Sequence, residues 1–133
     1  MTRQQLILSR ILLVLYLAAL CMLCFGNFSN APKVQPSFFG IPTDKIVHFL
    51  MFFPFPILVY FAFNRYGGKR LWQLLGVLIT FLTGAGMAIG TELIQGLITY
   101  RSKDVRDFRA DCIALAAASI IILLFVLLRR SRK

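Results

Sequence analysis

At 133 residues the chain has room for one domain, and 59% of those residues are hydrophobic. A soluble fold of this size has no interior large enough to hide so much apolar surface, so a water-soluble globular domain is excluded. The net charge of +10 lies in short clusters between long apolar runs, with no groove-reading motif beside it, which argues against nucleic acid and for anionic lipid headgroups.

The first apolar run follows Arg3 and Arg10, and Ile11 to Phe25 carry no charge. No small-residue cleavage site follows it, and Leu20 before Cys21 does not suit lipoprotein processing. The run therefore reads as a retained transmembrane helix over about residues 6–26. Cys21 and Cys24 are spaced C-x-x-C, but inside an apolar helix and without the βαβ setting of a redox motif they read as small apolar residues. Pro32, Pro36, Gly40 and Pro42 then predict a loop over residues 27–43, with Phe38 and Phe39 placed to lie on the bilayer surface. Thr43 is the expected N-cap of the next helix, and Asp44 falls in its first turn, where a negative charge meets the positive helix end.

The second span covers about residues 44–63. Pro54 and Pro56 fall in its middle and predict a kink, since each removes a backbone donor. Asn64 to Arg70 form a short basic turn. The third span, about 71–98, contains Gly84, Gly86 and Gly90, and Gly86-x-x-x-Gly90 would admit a close helix neighbour. It is longer than the roughly 20 residues a bilayer core needs, so Glu92 and Gln95 reach the far interface. The fourth span, about 111–128, begins at Asp111, a candidate helix cap, and its first half holds Ala114, Ala116, Ala117 and Ala118. Arg129, Arg130, Arg132 and Lys133 end it.

The expected architecture is thus an all-α membrane protein, a single four-transmembrane-helix bundle over residues 1–133. Lysine and arginine number nine on one side and six on the other, which favours both termini in the cytoplasm. All five acids and the sole histidine then lie at the outer face.

Those acids and His48 hold nearly all the titratable chemistry of the chain. On helices, Asp44 and His48 share a face, as do Glu92 and Gln95. Arg101, Asp104, Asp107 and Asp111 step by three, three and four along one stripe, which continues as Ala114 and Ala118 toward the bundle. The expected site is a polar pocket at the outer interface. His48, Glu92 and Asp107 are its candidate acid–base residues, because crowded carboxylates beside a histidine tend to titrate apart. Asp44, Lys45, Gln95, Arg101, Asp104 and Asp111 are the candidate binding residues, with Lys45, Arg101 and Arg106 suited to an anionic headgroup or phosphate. The same polar groups also suit a structural network that ties spans together. An Asp–His–Glu set is a known way to hold a divalent ion, but with one histidine and no ligand-spaced pair, neither a metal nor another cofactor is expected. The expected partners are membrane lipids or a lipid-linked envelope precursor, with a homo-oligomer open. Whether a bond is made or broken is not fixed by these residues.

At Asp44-Lys45-x-x-His48-Phe49, Glu92-x-x-Gln95, Arg101 and the Asp104/Asp107 region, in this order within four spans, the chain resembles the VanZ-like family of small membrane proteins. The resemblance covers about residues 41–119. The family usually has asparagine four positions after its second aspartate, then glycines; this chain has Asp111, Ala114 and Ala118 there. The resemblance implies a multi-pass protein of the bacterial cytoplasmic membrane. It also implies a link to lipoglycopeptide resistance, since the name-giving member is associated with resistance to teicoplanin. It implies no particular reaction.

Overall fold

A computed structural model of the chain describes residues 1–27, 37–63, 68–98 and 105–129. Four helical spans cross in alternating directions: α1 (Arg3–Phe25), the pair α2 (Thr43–Phe52) and α3 (Pro54–Ala62), α4 (Arg70–Gln95) and α5 (Val105–Leu128). All four are long and apolar enough to cross a membrane, so the chain is an all-α membrane bundle. Helices dominate because a spanning segment in hydrocarbon must satisfy its own backbone.

Each boundary has a local cause. Thr2 caps α1: its side chain accepts from the Gln5 backbone N–H, and the Gln5 side chain accepts from the Thr2 N–H, a reciprocal capping box. Part of the segment expected as loop is instead a two-residue antiparallel ribbon, β1 (Ser37–Phe38) against β2 (Ile41–Pro42). Phe39 (φ 50°) and Gly40 (φ 78°) make its turn, both in the left-handed region, as a primed hairpin turn requires. The turn leaves Phe39 fully exposed. Pro42, not Thr43, takes the N-cap position of α2, and Thr43 is already helical.

The second span breaks at Phe53, where the expected kink falls. Pro54 and Pro56 deprive the carbonyls of Leu50 and Phe52 of N–H donors. Between those two carbonyls, that of Met51 accepts from the Tyr16 hydroxyl of α1. Tyr16→Phe is expected to cost about 1 kcal/mol, read as a lowered unfolding midpoint in detergent micelles. An unchanged midpoint would mean that the hydroxyl is equally well satisfied elsewhere.

The central element is α5, which packs on α2, α3 and α4; α1 lies outside, mainly against α3. The core has two parts. Leu20, Cys24, Met51, Phe52, Phe55, Ala88, Ala114 and Leu115 form the larger one. Tyr60, Val77, Ile122 and Val126 form the other. Side chains also mark the two ends of the bundle. Arg10 donates to the Ala62 carbonyl and Arg70 to that of Leu127 at one end. At the other end the Gln95 amide donates to the Cys24 carbonyl at 2.8 Å.

Two expectations about packing are corrected. The fourth helix begins at Val105, so Asp111 is interior to it and caps nothing. Among Gly84, Gly86 and Gly90 of α4, it is Gly84 that meets a neighbour, against Leu115 and Phe55, whereas a Cβ at Gly86 or Gly90 would meet nothing within 4 Å.

Candidate functional site

The Gln95 end of the bundle gathers its polar groups from three spans. On α2, Lys45 and His48 stand one turn apart at i and i+3 and so share a face. On α5, Asp107 and Asp111 are spaced i and i+4 and turn toward that face. The two pairs interlock. The Lys45 ammonium donates to Asp107 Oδ1 and, at 2.9 Å, to Asp44 Oδ2. The His48 ring lies between two carboxylates, with Nε2 3.3 Å from Asp107 Oδ2 and Nδ1 3.0 Å from Asp111 Oδ1.

Exposure falls stepwise into this cluster. The Asp44 side chain is 59% exposed, Lys45 14%, His48 and Asp107 12% each, and Asp111 0%. The cluster is therefore graded in depth, with Asp44 at its exposed rim and Asp111 fully buried. Asp111 lies about 9 Å along α5 from its first residue, a little under two turns. The next inward residues on the same helix faces are Ala114 on α5 and Ala88 on α4, both fully buried. Small side chains thus let the helices close tightly beneath the polar layer.

Glu92, on α4, is buried at 5% exposure, one turn before Gln95. One ligand-type atom each from His48, Glu92 and Asp111 lies within 4.8 Å of the other two. These three residues are the group that could hold a metal ion among the described residues. Asp111 Oδ2 is buried without a hydrogen-bond partner.

This geometry defines what the arrangement can do. An imidazole facing carboxylates on both nitrogens donates to both only as imidazolium; as the neutral ring it donates to one and offers a lone pair to the other side. His48 is thus oriented and can hold or release a proton at either ring atom. Lys45 already serves two carboxylates, which leaves less of its charge for an incoming anion than the sequence reading assigned it.

The candidate residues divide accordingly. The structure brings together Lys45, His48, Glu92, Asp107 and Asp111. Asp44 stands at the rim. Gln95 is at the same end, but its amide is engaged with the α1 carbonyl of Cys24. Arg101 and Asp104, with Lys103 between them, lie outside the described residues, as do Arg130, Arg132 and Lys133. Arg106 and Arg109 are exposed on the first turns of α5. Sequence reasoning placed His48, Glu92 and Asp111 in one site and weighed an Asp–His–Glu set, but did not assign its aspartate. The three come from three spans, and no spacing along the chain signals that they meet.

The VanZ/LLP1 family model matches residues 12–128. An uncharacterized protein of fission yeast (Schizosaccharomyces pombe), C11E3.10, is 28% identical over 82 residues, covering 62% of this chain and 48% of that protein. The chain thus spans about half the length of this curated relative. No solved structure matches it. With the family model covering most of its length, from within the first span to the end of the fourth, the chain belongs to the VanZ/LLP1 family.

Proposed function

We propose that the cluster formed by Lys45, His48, Glu92, Asp107 and Asp111 lies at the extracytoplasmic face. There it binds the anionic headgroup of a membrane lipid or lipid-linked envelope component, and His48 exchanges a proton with it. The observation that carries this reading is the clasp on His48. Both ring nitrogens face carboxylates, one partly accessible and one fully buried. A ring held only for packing needs no second carboxylate. Arg106 and Arg109, exposed on the first turns of α5, supply positive charge where headgroup phosphates lie, and Arg101 belongs to the same segment. The lysine and arginine count supports both termini in the cytoplasm and hence the outward-facing cluster.

A bacterial cytoplasmic membrane and a part in lipoglycopeptide resistance are the setting that the family resemblance suggests. A fission-yeast relative favours a headgroup chemistry common to bacterial and fungal membranes over a component of the bacterial wall. The rival reading is a non-catalytic membrane factor in which the same residues only tie α2, α4 and α5 together.

Near-isosteric substitutions separate the two. His48→Gln, Glu92→Gln and Asp107→Asn are expected to keep the protein at wild-type level and to abolish its effect on the lipid profile of the membrane. The checks are immunoblotting and lipidomics of cells with and without each variant. Normal lipid changes in all three variants would sink the site. Loss that simply tracks reduced protein level would favour the structural rival.

A further inference from the structure

We propose that His48, Glu92 and Asp111 bind a divalent transition-metal cation, with Zn²⁺ the best fit. One donor atom from each of the three lies within 4.8 Å of the others, and each donor comes from a different helix, α2, α4 and α5. The 3.0 Å between His48 Nδ1 and Asp111 Oδ1 is close to the edge of a coordination polyhedron with bonds of about 2.1 Å. One imidazole nitrogen with two carboxylate oxygens selects a borderline ion such as Zn²⁺, whereas Ca²⁺ prefers oxygen alone.

Independent support comes from Asp111. Its carboxylate is fully buried, turned into the cluster through Oδ1, and its Oδ2 has no hydrogen-bond partner. A buried carboxylate needs a partner for both oxygens, and a cation held by the carboxylate in bidentate fashion supplies Oδ2 with the one it lacks while Oδ1 stays beside His48.

The surroundings fit as well. With Nδ1 ligating, His48 keeps its proton on Nε2 and donates it to Asp107 Oδ2, which Lys45 holds in turn. That is the usual support for a metal-bound imidazole, a carboxylate behind the ring that fixes its tautomer. Three protein ligands leave at least one position for an oxygen of another molecule. The proposal deepens the headgroup reading and rests on it for the ligand's identity. An anionic headgroup is repelled by a cluster of carboxylates, and a cation among them turns that repulsion into attraction.

The test uses the full chain in detergent micelles, with its affinity tag removed, titrated with Zn²⁺ by calorimetry. Thermal unfolding is followed with and without the ion. Wild type is expected to take up one equivalent and to unfold at higher temperature with Zn²⁺ present. Asp111→Asn, Glu92→Gln and His48→Gln should each abolish stoichiometric uptake. Asp107→Asn should weaken it by about 10- to 100-fold without abolishing it. A variant with Cys21, Cys24 and Cys112 changed to serine should bind as wild type does. No stoichiometric uptake by wild type overturns the proposal, as does uptake that survives Asp111→Asn but is lost with the cysteines. Because uptake is measured without any lipid, a failure here leaves the headgroup reading standing, and a lipid profile unmoved by the site variants leaves the metal standing.

Discussion

His48→Leu is expected to cost the bundle about 3–5 kcal/mol, because it strips the fully buried Asp111 carboxylate of the partner that compensates it. Removing one half of a buried pair is far worse than removing both. The double substitution His48→Leu with Asp111→Leu replaces two polar groups by apolar ones in an apolar bundle, and should return to within about 1 kcal/mol of wild type. The measurement is a double-mutant cycle of unfolding midpoints in detergent micelles, completed by Asp111→Leu alone. If His48→Leu unfolds like wild type, the ring is not compensating a buried charge, and the geometry described for α2 and α5 is wrong. The double variant also serves the functional question. A folded bundle that lacks both the imidazole and the Asp111 carboxylate shows whether the pair is needed for chemistry once its cost to stability is removed.

Much of the cluster was legible from spacing, and the reason is visible on α5. Asp107, Asp111, Ala114 and Ala118 are all buried, as a single stripe at helical spacing requires. Scarcity helped too. With five acids and one histidine in the chain, there are few ways to keep them out of hydrocarbon other than together. The start of α5 was not legible. The fourth span was expected to begin at about residue 111, yet the helix already includes Val105 to Ala110, and Asp107 and Asp111 can enter it because Lys45 and His48 meet them there. Asp44 was paired with His48 by its i and i+4 spacing, but sharing a helix face does not bring side chains into contact, and Asp44 turns outward to Lys45. The kink at Phe53 was readable because proline carries its geometry with it. The ribbon at 37–42 was not, since Phe39 at positive φ is against its own preference.

The glycines of α4 show the same limit and give the second large effect. Helices that are apolar all round carry no periodic sign of which side meets protein and which meets lipid. Gly86 and Gly90 fit a packing motif by spacing, yet Gly84 is the one at a contact. A Cβ there would lie 2.6 Å from Leu115 Cδ2 and 3.2 Å from Phe55 Cδ1. Leu115 is fully buried, so its methyls have no empty direction in which to yield. Gly84→Val is therefore expected to destabilise the bundle by about 1–3 kcal/mol through overpacking between α4 and α5. Leu115→Ala alone should cost about 2–5 kcal/mol through the cavity it leaves. Combined, the two should cost less than their sum, because the new side chain occupies the vacated space. Gly86→Ala and Gly90→Ala meet open surroundings and gain helix propensity, so they should be neutral or stabilising by up to about 1 kcal/mol. Unfolding midpoints of all five variants in micelles decide the matter. Additive losses at Gly84 and Leu115 would refute the contact. Losses at Gly86 and Gly90, appearing only at concentrations where the protein associates, would instead place a second copy of the chain against that open face of α4.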